Sequence, residues 1–324
     1  EQHPNNRGFD LFYGMKAGGR DYFYNEKKSD RPGDERNLLL NDRQVKFEKY
    51  LTDAFSEKAV EFINESSQPF MMYLAYNAVH TPMQATDEDM AKFEGHPRQK
   101  LAAMTYALDR GVGTVIRGLK DSGKFDNTLI FFLSDNGGAT TNQSSNYPLK
   151  GFKGNKFEGG HRVPYFVVWK NGIPAGKPYD GLVSSLDIFA TAIDAASISK
   201  TRNRLDGVSL LPYLKGKKGE PHKVLYWRKM DTRAIRSGDY KLIITHGVDS
   251  VLYNIRRDPE EMNNLINKEP DLYRKLAKKL AKWEKNECIE PSWLEEGWRK
   301  ITNRYHQQLM HNEIKTAQDL YKKK

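Results

Sequence analysis

Residues 128–138, TLIFFLSDNGG, constrain this chain more than any other stretch: an apolar run stops at two oxygen-bearing side chains, Asp135 and Asn136, and two glycines follow. A strand that ends this way is how an open α/β sheet presents ligands at its carboxyl edge. Asp supplies a charged oxygen and Asn a neutral one, the donors taken by a hard cation such as Ca²⁺ or Mg²⁺. Gly137 and Gly138 let the backbone turn sharply without a Cβ clash. The same Asp-Asn-Gly sequence is also ordinary turn chemistry, so by itself it reads equally as a ligand pair or as a turn.

The flanking pattern sets the fold class. Thr52 is placed to cap a helix to about Ser66, with Phe55, Ala59, Phe62 and Ile63 at helical spacing. PFMMYLAYNAVHTP (69–82) follows as a continuous apolar run, expected to be a strand buried on both faces and stopped by Pro82. Leu101, Met104, Leu108, Val112, Val115 and Leu119 mark a second helix ending at Ser122-Gly123. After the 128–138 strand come another strand, YFVVWK (165–170), and a helix marked by Leu186, Phe189, Ile193 and Ala196. This alternation predicts an α/β fold, a mostly parallel or mixed sheet sandwiched by helices.

The pattern changes after KGKKGEP (215–221). VLYWRK, RAIRSGDYKLIITH and SVLYNI read as short antiparallel strands with a turn at Ser237-Gly238, and a helix from Asp271 to Lys285 carries Leu272, Leu276, Leu280 and Trp283. The expected organisation is therefore an α/β domain over 1–215, a small C-terminal α+β subdomain over 222–290, and a tail of uncertain structure over 291–324 that ends in Lys322-Lys323-Lys324. Residues 1–50, rich in Gly, Asn, Asp and Arg, read as a long irregular segment of the kind that lines sites.

With 324 residues the chain has ample material for a core. Mean hydropathy is −0.76 and 29% of residues are charged. No run of about 18 apolar residues is present, so no membrane span is expected. One cysteine, Cys288, rules out an intramolecular disulfide and any multi-cysteine zinc site. The net charge of +10 favours polyanionic partners, nucleic acid or a sulfated glycan alike. No zinc-finger pattern, aromatic RNA-binding motif or dominant basic helix supports nucleic acid.

Other side chains extend the Asp135–Asn136 pair. His80, in AVHTP just past the 69–76 run, is catalytic or structural. Lys153, in LKGFKGNKFEGGHRVP, lies in a glycine-rich loop whose backbone can approach an anion, and it offers a compact charge for an oxyanion. The alternative is a solvated basic loop of Lys150, Lys153 and Lys156. Arg162 either binds the substrate or braces the loop by pairing with Glu158, and bracing is the favoured reading.

The order and wording of these segments resemble the sulfatase family of the alkaline-phosphatase-like superfamily. HPNNRGFDLFYG, PFMMYLAYNAVHTP, TLIFFLSDNGG, LKGFKGNKFEGGHRVPYFVVWKNGIPAG, VSSLDIFATAIDAA, GDYKLI and LYNIRRDPEEMNNL carry the resemblance, over most of residues 1–290. It implies a metal-dependent hydrolase of sulfate esters with one Ca²⁺ or Mg²⁺ per site. Asp135 and Asn136 match two metal ligands. Lys153 matches the lysine that contacts sulfate and the leaving-group oxygen, and His80 the histidine that binds sulfate and helps protonate the leaving group. His161, where the family often has an aliphatic residue, is a candidate substrate-subsite residue.

The departures carry equal information. The family's earlier Asp pair, its C/S-x-P-x-R motif that yields the formylglycine nucleophile, and its G-K-W-H type segment have no match here, and Cys288 is followed by Ile289-Glu290. The expectation is an N-terminally truncated chain that holds about half of the site and does not turn over sulfate esters alone. The resemblance implies a sulfate-ester substrate, with a sulfated glycan favoured by the charge, and a periplasmic, extracellular or lysosomal location; it leaves the oligomeric state open. Two rivals remain: a phosphatase or phosphodiesterase of the same superfamily, and a non-catalytic sulfated-glycan-binding protein. The first typically uses two zinc ions and a histidine directly after the aspartate, where this chain has Asn136.

Overall fold

The computed structural model describes residues 3–198, 204–287 and 296–322, so Cys288 and the last two lysines lie outside the described residues. They gather into two compact units, residues 1–126 and 127–324.

The first unit opens with a small antiparallel sheet of β1 (Tyr13–Gly14), β2 (Leu39–Leu40) and β3 (Arg43–Gln44). The polar segment around it is not loose: Arg20, buried, pairs with buried Asp30 at 2.7 Å and lies over the Phe47 ring. α1 (Leu51–Glu65) begins one residue before the expected cap, with Tyr50 in the capping place and Thr52 buried in the first turn. α2 (Asp87–Ala91), absent from the sequence expectation, is capped by Thr86, whose Oγ1 accepts from the Asp89 amide.

α3 (Gln99–Asp121) packs on α1 through small residues. Ala103, Ala107, Gly111 and Gly118 are buried with Met104 and Leu119 of the expected stripe, while its Leu101, Leu108, Val112 and Val115 are only half-covered. The seam is rotated because the backbones approach closely: a Cβ on Gly111 would lie 2.6 Å from Ser56 Oγ. Arg110 ties the helices together, reaching Asp89 at 2.5 Å and Asp53 at 3.0 Å. Residues 69–76 correct the expectation of a strand buried on both faces. They form no strand and join no ladder among the described residues, and burial alternates, with Met71 59% and Tyr73 77% exposed while Leu74 and Tyr76 pack on the core. A continuous apolar run does not by itself distinguish one covered face from two.

In the second unit β4 (Ile130–Leu133) is followed by α4 (Glu158–His161) and β5 (Tyr165–Val168), which pairs with β4. That ladder is antiparallel, with Phe132 opposite Phe166, so a parallel pairing is not made among the described residues of this chain. α5 (Asp187–Ala195) and α6 (Leu211–Leu214) come next. The α5 stripe is also corrected: Leu186 and Phe189 are exposed, while Asp187 and Thr191 are buried. The polar side wins because Asp187 accepts from the amides of Ser184 and Val208 and pairs with His222, and Thr191 Oγ1 accepts from Leu210.

β6 (Val224–Lys229), β7 (Thr232–Ser237), β8 (Tyr240–Thr245) and β9 (Asp249–Asn254) form an antiparallel meander in chain order, with Gly238 at φ +55° in one turn. Register sorts the two faces. Ile235, Leu242 and Leu252 meet Leu276 and Leu280 of α7 (Pro270–Glu287), where Tyr226 stacks on Trp283. Ala234, Ile243, Val251 and Tyr253 meet Phe152, Phe157, and Leu309 and Met310 of α8 (Glu296–Met310); α9 (Asp319–Lys322) ends the described chain.

That second core corrects the expected boundaries. Phe152 and Phe157 share one cluster with the meander, so no division of the core falls at 215. Residues 296–322 are part of the structure, with Leu309, Met310, Ile314 and Ala317 buried. No helix among the described residues is long and apolar enough to cross a membrane.

Candidate functional site

β4 delivers Ser134 to Gly138 at its carboxyl end, as the sequence pattern requires. Ser134 Oγ donates to the Asn136 carbonyl at 2.8 Å, and Asn136 Nδ2 donates to the Gly137 carbonyl at 3.0 Å. The amide nitrogen is thereby used, and Asn136 Oδ1 is left for a ligand. Asp135 is exposed and has no hydrogen bond or ion pair among the described residues.

The two glycines are there for close approach. A Cβ on Gly137 would lie 1.8 Å from the Gly159 carbonyl oxygen, and one on Gly138 would lie 2.3 Å from Ser144 Cβ. Gly137 N donates to Gly160 O at 3.0 Å, Lys153 N to Gly138 O at 3.0 Å, and Gly138 N to Asn146 Oδ1 at 2.8 Å. Asn146 Nδ2 donates in turn to the carbonyls of Gly138 and Gly151. Loop 134–138 and loop 150–160 are thus laced by backbone bonds. This brings Asp135, Asn136 and Lys153 onto adjoining loops, with the Lys153 side chain exposed and unpaired among the described residues.

Of the backbone that this loop offers to an anion, two glycine amides are already taken. Gly159 N donates to Lys150 O and Gly160 N to Phe157 O, so both donors are spent on the loop itself. The exposed charge that this loop carries is the Lys153 ammonium.

Beneath the loops lies a buried charge network that sequence reasoning missed in most of its parts. Lys241 is buried between Glu158 Oε1 at 2.8 Å and Glu261 Oε1 at 3.0 Å. Glu158 N donates to Glu261 Oε2 at 2.6 Å. Lys150, also buried, donates to Glu261 O at 3.0 Å and to Asn312 Oδ1 at 2.5 Å. Arg162 braces Glu158 at 3.7 Å, as weighed from the sequence, and Arg236 reaches it at 3.8 Å. Burial raises the Glu158 pKa, but Lys241, His161 and Arg236 outweigh it and hold the carboxyl low. Glu261 goes the other way: burial pushes it up, and Lys241 offsets only part of that. The signal available beforehand was the GDYKLI and DPEEMNN wording, which carries Lys241 and Glu261.

His161 belongs to this network. Its ring stacks on Trp227 at 4.6 Å between centroids, and Nε2 lies 3.1 Å from both Lys241 Nζ and the Lys156 carbonyl. Burial, with Lys241 adding to it, takes the imidazole down to about 3, so it is neutral. These contacts make it a brace behind the loop, not an open subsite.

His80 belongs to the first unit. Tyr22, buried, bonds through its phenol to the carbonyls of Asn77 and His80 at 2.7 and 2.9 Å, and Gln84 links the Tyr22 amide to Asp21. The Ala78–Val79 and Thr81–Pro82 peptide bonds are cis. His80 Nδ1 lies 2.8 Å from the Thr81 carbonyl and donates to it, so Nε2 is the nitrogen available to a ligand on an exposed ring.

Among the described residues no group of three or more His, Cys, Asp or Glu side chains gathers to hold a metal. Asp135 and Asn136 offer two of the six to eight oxygens that Ca²⁺ takes. They fit part of a hard-cation shell.

A family model described as Sulfatase matches residues 1–198, and one described as N-sulphoglucosamine sulphohydrolase, C-terminal, matches 153–286. The uncharacterized sulfatase YdeN of Escherichia coli (strain K12) is 38% identical over 237 residues, which cover 70% of this chain and 40% of that protein. N-acetylgalactosamine-6-sulfatase of Canis lupus familiaris is 32% identical over 202 residues, 60% of this chain and 38% of that protein. The chain thus spans about two fifths of these relatives' length. The crystal structure of Ps i-CgsB in complex with k-i-k-neocarrahexaose superposes with a TM-score of 0.83 at 36% identity, over 94% of this chain and 72% of that one. The expected α/β architecture of the alkaline-phosphatase-like class, with its C-terminal antiparallel sheet and helix, is the one these structures share. With the SDNGG and KGxxxEGG loops laced together as described, and with both halves of the chain matched in order, the chain belongs to the sulfatase family.

Proposed function

We propose that the full-length protein hydrolyses sulfate esters of a sulfated glycan. The observation that carries this is the Lys153 N to Gly138 O bond, which fixes an exposed, unpaired ammonium on the loop beside an exposed, unpaired carboxylate, Asp135. Cleaving a sulfate ester requires charge to be stabilised on the transferring oxygens and on the departing alkoxide. Asp135 and Asn136 Oδ1 would hold part of the shell of a Ca²⁺ or Mg²⁺ ion, which when bound supplies positive charge to the sulfate oxygens. Lys153 supplies a second positive charge at the sulfate and the leaving oxygen. The resemblance gives His80 the part of proton donor to the leaving group, and within its own unit its Nδ1 is committed to Thr81, which leaves Nε2 for that part. The formylglycine nucleophile that the resemblance implies would come from outside these 324 residues.

Glycan substrates are supported by the +10 charge and by the likeness to Ps i-CgsB, whose structure holds k-i-k-neocarrahexaose. A periplasmic, extracellular or lysosomal site goes with such a substrate, and fractionation of the producing cells tests it. Asn136 directly after Asp135 favours one hard cation over a histidine-ligated zinc pair. Assay of the full-length protein on paired aryl sulfate and aryl phosphate is the test. Faster turnover of the sulfate is expected, and a phosphate preference contradicts the reading.

A further inference from the structure

A turn at residues 146–149 lies against both loops of the candidate site. Asn146 Oδ1 accepts from Gly138 N at 2.8 Å, and Nδ2 donates to the carbonyls of Gly138 and Gly151 at 3.2 and 3.0 Å. Leu149 N donates to Asn146 O at 2.8 Å and closes the turn, which puts Tyr147 and Pro148 at its two corners, both exposed. Adjacent Cα atoms are about 3.8 Å apart. Tyr147 is therefore rooted one residue from the side chain that clamps the Asp135 loop to the Lys153 loop.

Tyr147 is 73% exposed, and its ring is nevertheless held. Lys315 Nζ lies over it, 5.2 Å from the centroid. Lys315 is itself fixed, since it pairs with Glu260 and its carbonyl accepts from Gly151 N at 2.7 Å. With Lys315 on one face and most of the residue in solvent, the opposite face of the ring is the open one. A single exposed apolar group is ordinary on a protein surface. This one differs in being propped by an anchored cation and in standing beside the loops that carry Asp135 and Lys153. Charges at the site hold a sulfate and read little of the sugar beneath it. A flat ring reads the sugar, because the C–H bonds on the apolar face of a pyranose carry partial positive charge and meet the negative face of the π system.

We propose that Tyr147 is a specificity-determining residue whose open face stacks on a sugar ring of the glycan, while the sulfate ester of that glycan is held at the Asp135 and Lys153 loops. Lys315 is the prop that fixes the ring. The inference rests on the sulfated-glycan reading of the adjoining site and adds that substrate is chosen by the face of a sugar as well as by its charge.

The test compares the full-length wild type with Tyr147→Ala and Tyr147→Phe. A sulfated oligosaccharide is followed in turnover with added Ca²⁺ and in calorimetric binding with a chelator present, and inorganic sulfate serves as the inhibitor that lacks a sugar. Tyr147→Ala should raise KM and Kd for the oligosaccharide about tenfold. It should leave kcat, inhibition by sulfate and the melting temperature unchanged. Tyr147→Phe, which keeps the face and removes the hydroxyl, should behave as the wild type. The proposal is overturned if Tyr147→Ala leaves KM and Kd as they were, if it weakens sulfate inhibition by the same factor, if it lowers the melting temperature without changing binding, or if Tyr147→Phe fails like Tyr147→Ala. A wild type that binds the oligosaccharide through Tyr147 and cleaves no sulfate ester leaves the subsite standing and sinks the reaction given to Asp135 and Lys153. Cleavage with the same KM in wild type and Tyr147→Ala does the reverse. Neither binding nor cleavage by the wild type overturns both.

Discussion

A Cβ on Gly137 would lie 1.8 Å from the carbonyl oxygen of Gly159. The Asp135 loop and the Lys153 loop are therefore in backbone contact, and that contact depends on Gly137 lacking a side chain. Gly137→Ala should cost about 2 kcal/mol or more of stability and displace one loop from the other. Gly18→Ala, where nothing lies within 4 Å, should be near neutral. Urea unfolding of the two variants checks the contrast.

Lys241→Met should be among the most damaging substitutions away from the exposed site. It leaves Glu158 and Glu261 facing each other in the interior without their shared cation, and breaking a buried pair from one side costs about 3–5 kcal/mol. Adding Glu261→Gln should recover part of the loss, by removing one of the stranded charges. Denaturant midpoints of the single and double variants measure both effects.

Acid should weaken the fold through His161 and His306. Their folded pKa values, about 3 and about 4, lie below the ordinary imidazole value. Each therefore contributes stability that is complete above about pH 6.5 and is lost as pH falls toward the folded value, at about 1.4 kcal/mol per unit and per histidine. The groups facing them are Lys241, Glu158 and Lys156 at His161, and Lys156 and Lys229 at His306. Glu158, held low, adds loss in the same direction below its unfolded range. Glu261, pushed up by burial, takes up a proton in the folded state first and offsets the loss near neutrality. Unfolding midpoints should therefore change little between pH 7.5 and 6 and fall between 6 and 5, and His306→Gln should make the fall shallower.

Phe132, Phe166, Val168, Leu186 and Phe189 are all exposed. Such apolar surface binds the dye ANS without unfolding. Fluorescence should rise on mixing ANS with this chain, and Phe132→Ser with Phe166→Thr should reduce the rise while the melting temperature holds within a few degrees.

The sequence carried the local half of this account. The placement of Asp135, Asn136 and Lys153 at a strand end and on a glycine-rich loop was legible because both have strong local signatures, and the VLYWRK, RAIRSGDYKLIITH and SVLYNI runs announced the antiparallel strands. What was not legible depended on distant neighbours. The α1–α3 seam shifted to small residues because Gly111 and Gly118 admit close backbone approach, which hydrophobic spacing does not report. The α5 face inverted because Asp187 and Thr191 found hydrogen-bond partners in the 184 and 208–210 segments. His161 looked like an open subsite residue until Trp227 and Lys241, more than sixty residues away, closed over it.

The central claim is that Asp135 and Lys153 serve sulfate-ester cleavage, and turnover of a sulfated oligosaccharide by the full-length protein with added Ca²⁺ tests it most directly. Lys153→Ala and Asp135→Ala should each lower kcat by about a hundredfold or more with the melting temperature retained. Full turnover in both variants, or a wild-type protein that cleaves the phosphate ester and spares the sulfate, would contradict it.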